Sequence, residues 1–218
     1  MNIPALRELI QRARQDDAGS GQLARHLHVQ LAHLHPSIRL PTDDALSVLS
    51  RFVTAYIEQV PDMLEAATQV AREAGIDAQV TPVLKVAEQF FLQPPNLMAG
   101  HEGLGGLLDE AYLAHRLVEE VNDRYSSHLG LPLIPMDTTT ANLVAHHLIG
   151  EPFANQLDEA VHHAVEGMLD EDSFAQDSVR AYRERLGAPH TEAAWKRWPC
   201  LSQQLGVELV LDQSRAAG

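Results

Sequence analysis

Two side-chain pairs in this sequence have the spacing of a chelate or of an acid–base couple: His115 with Glu119, and His147 with Glu151. Four residues make about one helical turn, so each pair sets an imidazole and a carboxylate on one helix face. Such a pair can ligate a divalent metal, or act as a general base with its orienting acid. Two pairs on neighbouring helices would supply a four-ligand site, and Glu110, on the same stretch as His115, is a further candidate. The segments AHRLVEE (114–120) and AHHLIGE (145–151) also echo one another, although that alignment sets His115 against His146. Against the metal site stands the plainer reading, in which these residues edge a helical core and hydrogen-bond locally.

Other chemistry is less well supported. Glu159-xx-His162 matches the half-motif of carboxylate-bridged di-iron bundles. On a helical wheel, however, Phe153, Leu157, Ala160, Val161, Ala164 and Met168 form the apolar arc, and Glu159, His163 and Glu166 point away from it. The pattern HLH occurs at 26–28 and again at 33–35, bordering the stripe Leu23–Leu27–Leu31–Leu34. Residues seven apart on a helix are separated by about 10 Å, too far to chelate one ion, so these imidazoles read as flanks of an apolar seam. No Gly-x-Ser-x-Gly elbow is present, and the glycines of 96–106 lack both the spacing and the preceding strand of a dinucleotide fingerprint. The acidic run 170–173 reads as a helix cap, because it lacks the glycine and distal glutamate of a calcium loop. A single cysteine, Cys200, excludes an internal disulfide or a cysteine cluster and reads as a buried thiol.

Positioning the two pairs requires helices, and helical periodicity dominates the chain. It predicts helices over Ile3–Gln15, Gln22–Leu34, Ala45–Val60, from Pro61 to Ala74, and over Ala78–Leu92. The clearest is Leu107–Tyr125. Thr138–Ile149 and Pro152–Leu169 follow, then Phe174–Leu186 and short helices near 193–198 and 201–205. Polar Asp16–Gly21, Gly75, Pro94–Pro95 and Gly150-Glu151-Pro152 mark the breaks. Leu131–Pro135 reads as a rigid apolar connector, Trp195 and Trp198 as anchors of the C-terminal part, and Val207–Asp212 as a short strand or docked tail. The expected fold is all-α, a bundle of about eight to ten helices in one domain spanning 1–218, with a candidate hinge at 94–106.

The wheel also sorts the polar residues of Leu107–Tyr125. Leu107, Ala111, Ala114, Val118, Val121 and Tyr125 form the buried stripe; His115 and Asn122 fall inside its edge, and Glu119 and Glu110 lie at its borders. Asp109, Arg116, Glu120, Asp123 and Arg124 are expected on the solvated face. Polar groups at a core boundary cost stability unless each finds a partner.

Composition limits the function. The chain has 218 residues, 45% of them hydrophobic, enough for a sizeable core. Its formal charge of −14 opposes nucleic acid and anionic membrane surfaces. No window reaches the length of a membrane span, and the N-terminal stretch MNIPALRELIQRARQ lacks the apolar run of a secretion signal, so the cytosol is the expected compartment. The expected function is a non-catalytic module working by self-association or by binding a protein partner. Its rival is a divalent-metal protein or metal-dependent enzyme using His115, Glu119, His147 and Glu151.

Overall fold

Helical periodicity becomes seven α-helices in a computed structural model that describes residues 1–40, 43–98, 103–134 and 136–169, with Phe174, 183–185, 188–190, Ala193, Glu208 and Leu209. They are α1 (Ile3–Ser20), α2 (Gln22–Leu31), α3 (Ala45–Ala74), α4 (Asp77–Leu92), α5 (Gly103–Leu129), α6 (Thr139–Ile149) and α7 (Glu151–Met168). One 3-10 turn, Asn96–Met98, precedes α5. The all-α expectation holds. Two short strands, β1 (Ile38–Arg39) and β2 (Glu208–Leu209), pair antiparallel, Ile38 opposite Leu209 and Arg39 opposite Glu208. Part of the C-terminal stretch expected as strand or tail is therefore a strand. Trp195, Trp198, Cys200, the acidic run 170–173 and most of the helices expected over 174–186, 193–198 and 201–205 lie outside the described residues.

Helix α5 is the centre of the packing. It touches α1, α2, α3, α4, α6 and α7, and from Leu107 to Val118 nearly every side chain is buried. A helix apolar on most sides has nowhere to lie but inside other helices. One contiguous cluster of buried residues runs from Leu6 of α1 to Val165 of α7 through both ends of the candidate hinge.

The boundaries differ from expectation where local signals compete with packing. Pro61 does not start a helix; α3 runs through it, and Pro61 is itself buried. Proline removes the amide that would serve the Ile57 carbonyl, at a cost of about 3 kcal/mol in a helix interior. The stripe Phe52, Val53, Tyr56, Ile57, Val60, Met63, Leu64 and Ala67 is almost fully buried on both sides of it. Burial of each large side chain is worth roughly 1.5–3 kcal/mol, which outweighs the break. Likewise α1 continues through Asp16 and Asp17 to Ser20, and the chain reverses at Gly21 in the left-handed region (φ +64°). Asp17 then serves the next helix, its Oδ1 accepting the Leu23 amide at 2.8 Å near the start of α2. Gly103, Gly105 and Gly106, expected in the hinge, form the first turns of α5, with Gly103 at φ +69°. Helix α2 stops at Leu31, three residues short of expectation, so His33 and His35 leave the helix.

The connector after α5 is held from within. Asn122 accepts the Ile134 amide on Oδ1 at 2.8 Å and donates from Nδ2 to the Ile134 carbonyl at 2.5 Å. Leu133 and Ile134 are completely buried beside it. One amide side chain thus replaces the strand partner that Ile134 lacks. Asn122→Ala leaves the buried Ile134 amide without an acceptor, at a cost of about 1–3 kcal/mol, whereas the Ile134 carbonyl keeps the Met136 amide at 2.6 Å. Denaturant unfolding should show a loss of about 1–3 kcal/mol, and a loss below about 0.5 kcal/mol would show that water replaces the side chain.

Candidate functional site: a polar cluster around helix α5

The polar residues of α5 meet those of α3, α6 and α7 in one connected cluster. Asn142 of α6 is its hub: Oδ1 accepts the Tyr56 hydroxyl at 2.6 Å, and Nδ2 donates to Glu119 Oε2 at 2.5 Å and to Thr138 Oγ1 at 3.2 Å. Glu119 Oε2 also accepts from Arg116 at 2.9 Å, one turn back on α5. Arg116 Nε donates to Asp158 Oδ1 of α7 at 3.0 Å, and the Tyr112 hydroxyl reaches the same oxygen at 2.9 Å. The second oxygen of Asp158 faces His146 Nε2 at 3.7 Å, and that nitrogen lies 3.2 Å from Asn155 Oδ1. Four helices are thereby joined through mutually satisfied side chains.

The electrostatics follow from this enclosure. Burial opposes the Arg116 cation, but the bonds to Asp158 and Glu119 outweigh it and hold its pKa above the ordinary value. Tyr56 and Tyr112 are held well above the usual phenol range, first by burial and then by neighbouring groups, Asp158 foremost for Tyr112. Both hydroxyls remain protonated donors, as the geometry of the cluster requires.

His115 stands beside this cluster. It is fully buried, its ring centroid lies 4.4 Å from that of Tyr56, and its Nε2 meets the Tyr56 backbone carbonyl at 3.0 Å. A carbonyl only accepts, so Nε2 carries the proton and Nδ1 is a bare lone pair. Nδ1 is buried without a hydrogen-bond partner, and so is Oε2 of Glu110. Burial lowers the His115 pKa to about 4, against a partial opposing effect of the Tyr56 carbonyl. Burial, and then the charge of Asp109, push Glu110 up to about 8.

The four residues with metal-ligand spacing are placed as follows. His115 and Glu119 share α5, but His115 is committed to Tyr56 and Glu119 to Arg116 and Asn142. His147 lies against His35, rings 5.5 Å apart and 19° from parallel, and Glu151 opens α7 close enough to favour the His147 cation. Burial, with the His35 and His146 charges, nevertheless lowers the His147 pKa. Imidazole lone pairs lie in the ring plane, so two nearly parallel rings at that separation cannot both point at one ion about 2.1 Å away. Among the described residues no group of three or more His, Cys, Asp or Glu is arranged to hold a metal ion. The structure does not gather the four into one ligand set.

Several members of the cluster differ from the sequence expectation. Asp109, expected in solvent, is buried, and the Arg116 side chain is only 21% exposed. The i, i+3 spacing of Arg116 and Glu119 was a legible sign of their pairing. Asn142 sits beside the apolar arc of α6, one turn from Ala145, and the same wheel could have found it. Tyr56 carries no such sign: within α3 it reads as an ordinary core aromatic. On α7 the wheel is right for Glu159, His163 and Glu166, which are exposed; His162, at the border of the apolar arc, is exposed as well.

The two orphaned groups give the stability opposite slopes with pH. His115, with its folded pKa below the ordinary 6.5, contributes stability that is present above pH 6.5 and lost as pH falls toward 4. Glu110, with its folded pKa above the ordinary 4.5, contributes stability that is present below pH 4.5 and lost as pH rises toward 8. Between 4.5 and 6.5 the two slopes cancel, and above 6.5 only that of Glu110 remains. Glu110→Gln should therefore gain on the wild type steadily with pH. The gain should reach about 1–3 kcal/mol at pH 8, since each tenfold change in proton affinity is worth roughly 1.4 kcal/mol before solvent screening. Urea midpoints measured from pH 4.5 to 8.5 check this, and a difference that does not change with pH refutes it. Comparison of the chain with protein-family models, with curated proteins and with solved structures finds no match.

Proposed function

We propose that this chain is a non-catalytic association module whose contact surface is the edge formed by α2, the turn after it, and α6. The observation that carries this reading is the character of that edge. Residues 22–40 and 138–150 contain no Asp or Glu, in a chain with 30 acidic residues and a formal charge of −14. The two stretches meet in space, where His26 Nε2 lies 3.2 Å from the Leu148 carbonyl and His35 stacks on His147. Val29 of α2 and Leu143 of α6 stand 59% and 45% exposed there, the two most exposed large apolar side chains among the described residues.

The edge combines what an interface needs: accessible apolar side chains and few carboxylates to desolvate, Glu208 opposite Arg39 and Glu151 at the margin. His26, His28, His33, His35, His146 and His147, half of the 12 histidines, lie along it. The interior polar cluster supports the same reading from the other side. Its donors and acceptors are spent on joining helices, and Tyr56 and Asn142 are 0% and 3% exposed, out of reach of a substrate. The rival, a divalent-metal site at His115, Glu119, His147 and Glu151, requires His115 to give up Tyr56 and His147 to leave its stack on His35.

A photo-crosslinking residue placed at Val29 or Leu143 in the full chain should give protein adducts in cells, whereas one at Lys85, on the exposed side of α4, should not. Absence of adducts at both edge positions overturns the reading. Elemental analysis decides the rival: one metal ion per chain surviving gel filtration, and lost in His147→Ala, would favour the metal site.

A further inference from the structure

We propose that the occupant of the α2–α6 edge is a second copy of this chain, presenting the exposed acidic face of its α7. This inference rests on the association reading and adds to it the identity of the partner and the geometry of the assembly.

Two surfaces of complementary charge lie on one molecule. Helix α7 contains Glu151, Asp158, Glu159 and Glu166 and neither Lys nor Arg. Asp158 is spent on Arg116, but Glu159 and Glu166, seven residues apart on one face, are exposed. Glu120 of α5 adjoins them through His162, and Asp123 is exposed nearby on the same helix. Burial, and then the charges of Glu119 and Glu120, raise the Asp123 pKa. The edge offers a different character: Arg25 and Arg39 are the only formal charges of residues 22–40 and 138–150, with Glu208 of β2 opposite Arg39, exposed Val29 and Leu143 near exposed or half-buried imidazoles, and Glu151 at its margin. Two edges meeting would set like beside like, and two acidic faces would repel. An edge meeting an acidic face sets Arg25 and the imidazoles against carboxylates and covers the exposed valine and leucine. Placing positive against negative patches sets register and excludes the alternatives.

The two surfaces are different parts of the chain, so the contact is heterologous. Each copy keeps one free edge or one free acidic face after the first contact, and assembly proceeds to a ring or an open chain rather than stopping at a dimer.

Sedimentation velocity of the full chain at low and high salt tests this. The wild type should grow beyond a dimer with concentration, and should dissociate as salt rises. Val29→Glu with Leu143→Glu removes the edge, and Glu159→Lys with Glu166→Lys removes the acidic face. All four positions are exposed, so helix content by circular dichroism should be unchanged in both variants. Each variant alone should associate at least about tenfold more weakly than the wild type, as expected when one patch of a charge-matched pair is reversed. Mixed, the two variants should associate again, because the intact edge of one meets the intact acidic face of the other and the introduced glutamates and lysines are themselves complementary. Wild-type-like association of either variant, or a mixture that stays monomeric, overturns the proposal. A wild type that is monomeric at every concentration also overturns it; adducts to a different protein at Val29 would then leave the association reading standing, and absence of adducts would remove both.

Discussion

A helix enclosed by six others must have every polar group it carries satisfied by its neighbours, and that constraint on α5 governs the structure. Its sequence is not purely apolar: Tyr112, His115, Arg116, Glu119 and Asn122 turn up within eleven consecutive positions. Each has a partner on another element or one turn away. Tyr112 and Arg116 reach α7, Glu119 reaches α6, His115 reaches the α3 backbone, and Asn122 holds the connector at Ile134. These contacts are directional where apolar packing is not. They fix the rotation and height of α5 against its neighbours. Their net stabilisation is small, since each group gives up water to make them, but removing one partner strands the other in a medium that penalises it.

The structure satisfies this constraint incompletely at two atoms, His115 Nδ1 and Glu110 Oε2, and both belong to α5. Both groups avoid charge at neutral pH for the same reason, burial, although one is a base and the other an acid. A neutral imidazole and a protonated carboxyl are what a helix this enclosed can tolerate. Desolvation by the surrounding helices leads in both cases, joined at Glu110 by the charge of Asp109.

The fold class and the buried face of α5 were legible because both depend on periodicity. The wheel put His115 and Asn122 inside and Glu119 and Glu110 at the border, as observed. It failed at Asp109 and Arg116 because it assumes that one face of a helix meets solvent, and between Leu107 and Val118 α5 has almost no such face. Pro61 and the glycines at 103–106 misled for a related reason. They are local signals, worth about 1–3 kcal/mol, set against the burial of long apolar stripes. The partner of His115 was not legible, because a hydrogen bond to the Tyr56 carbonyl uses the backbone, which leaves no trace in residue identity. The proximity of His35 to His147 was hidden in the same way, by the early end of α2 and the turn that follows.

Charge is partitioned as strictly as polarity. With 30 acidic against 16 basic residues, most surfaces must carry excess carboxylate. Several cations are already used inside the protein: Arg116 lies between Asp158 and Glu119, Arg7 between Asp62 and Glu65, Arg14 on Glu58, and Arg124 on Glu120. Exposed pairs of this kind add little to stability, about 0–1 kcal/mol each. They do remove those arginines from competition for a partner's carboxylates. Arg25 is different, since it sits in nineteen consecutive residues without an acid, and its guanidinium donates to the Ser20 carbonyl rather than to a carboxylate. At physiological ionic strength, charge is felt over only about 8 Å, so the −14 total matters less to an approaching surface than what lies directly opposite it. What an approaching surface meets is therefore decided by position: excess carboxylate over much of the molecule, and along 22–40 and 138–150 imidazoles and apolar side chains, with Glu208 beside Arg39.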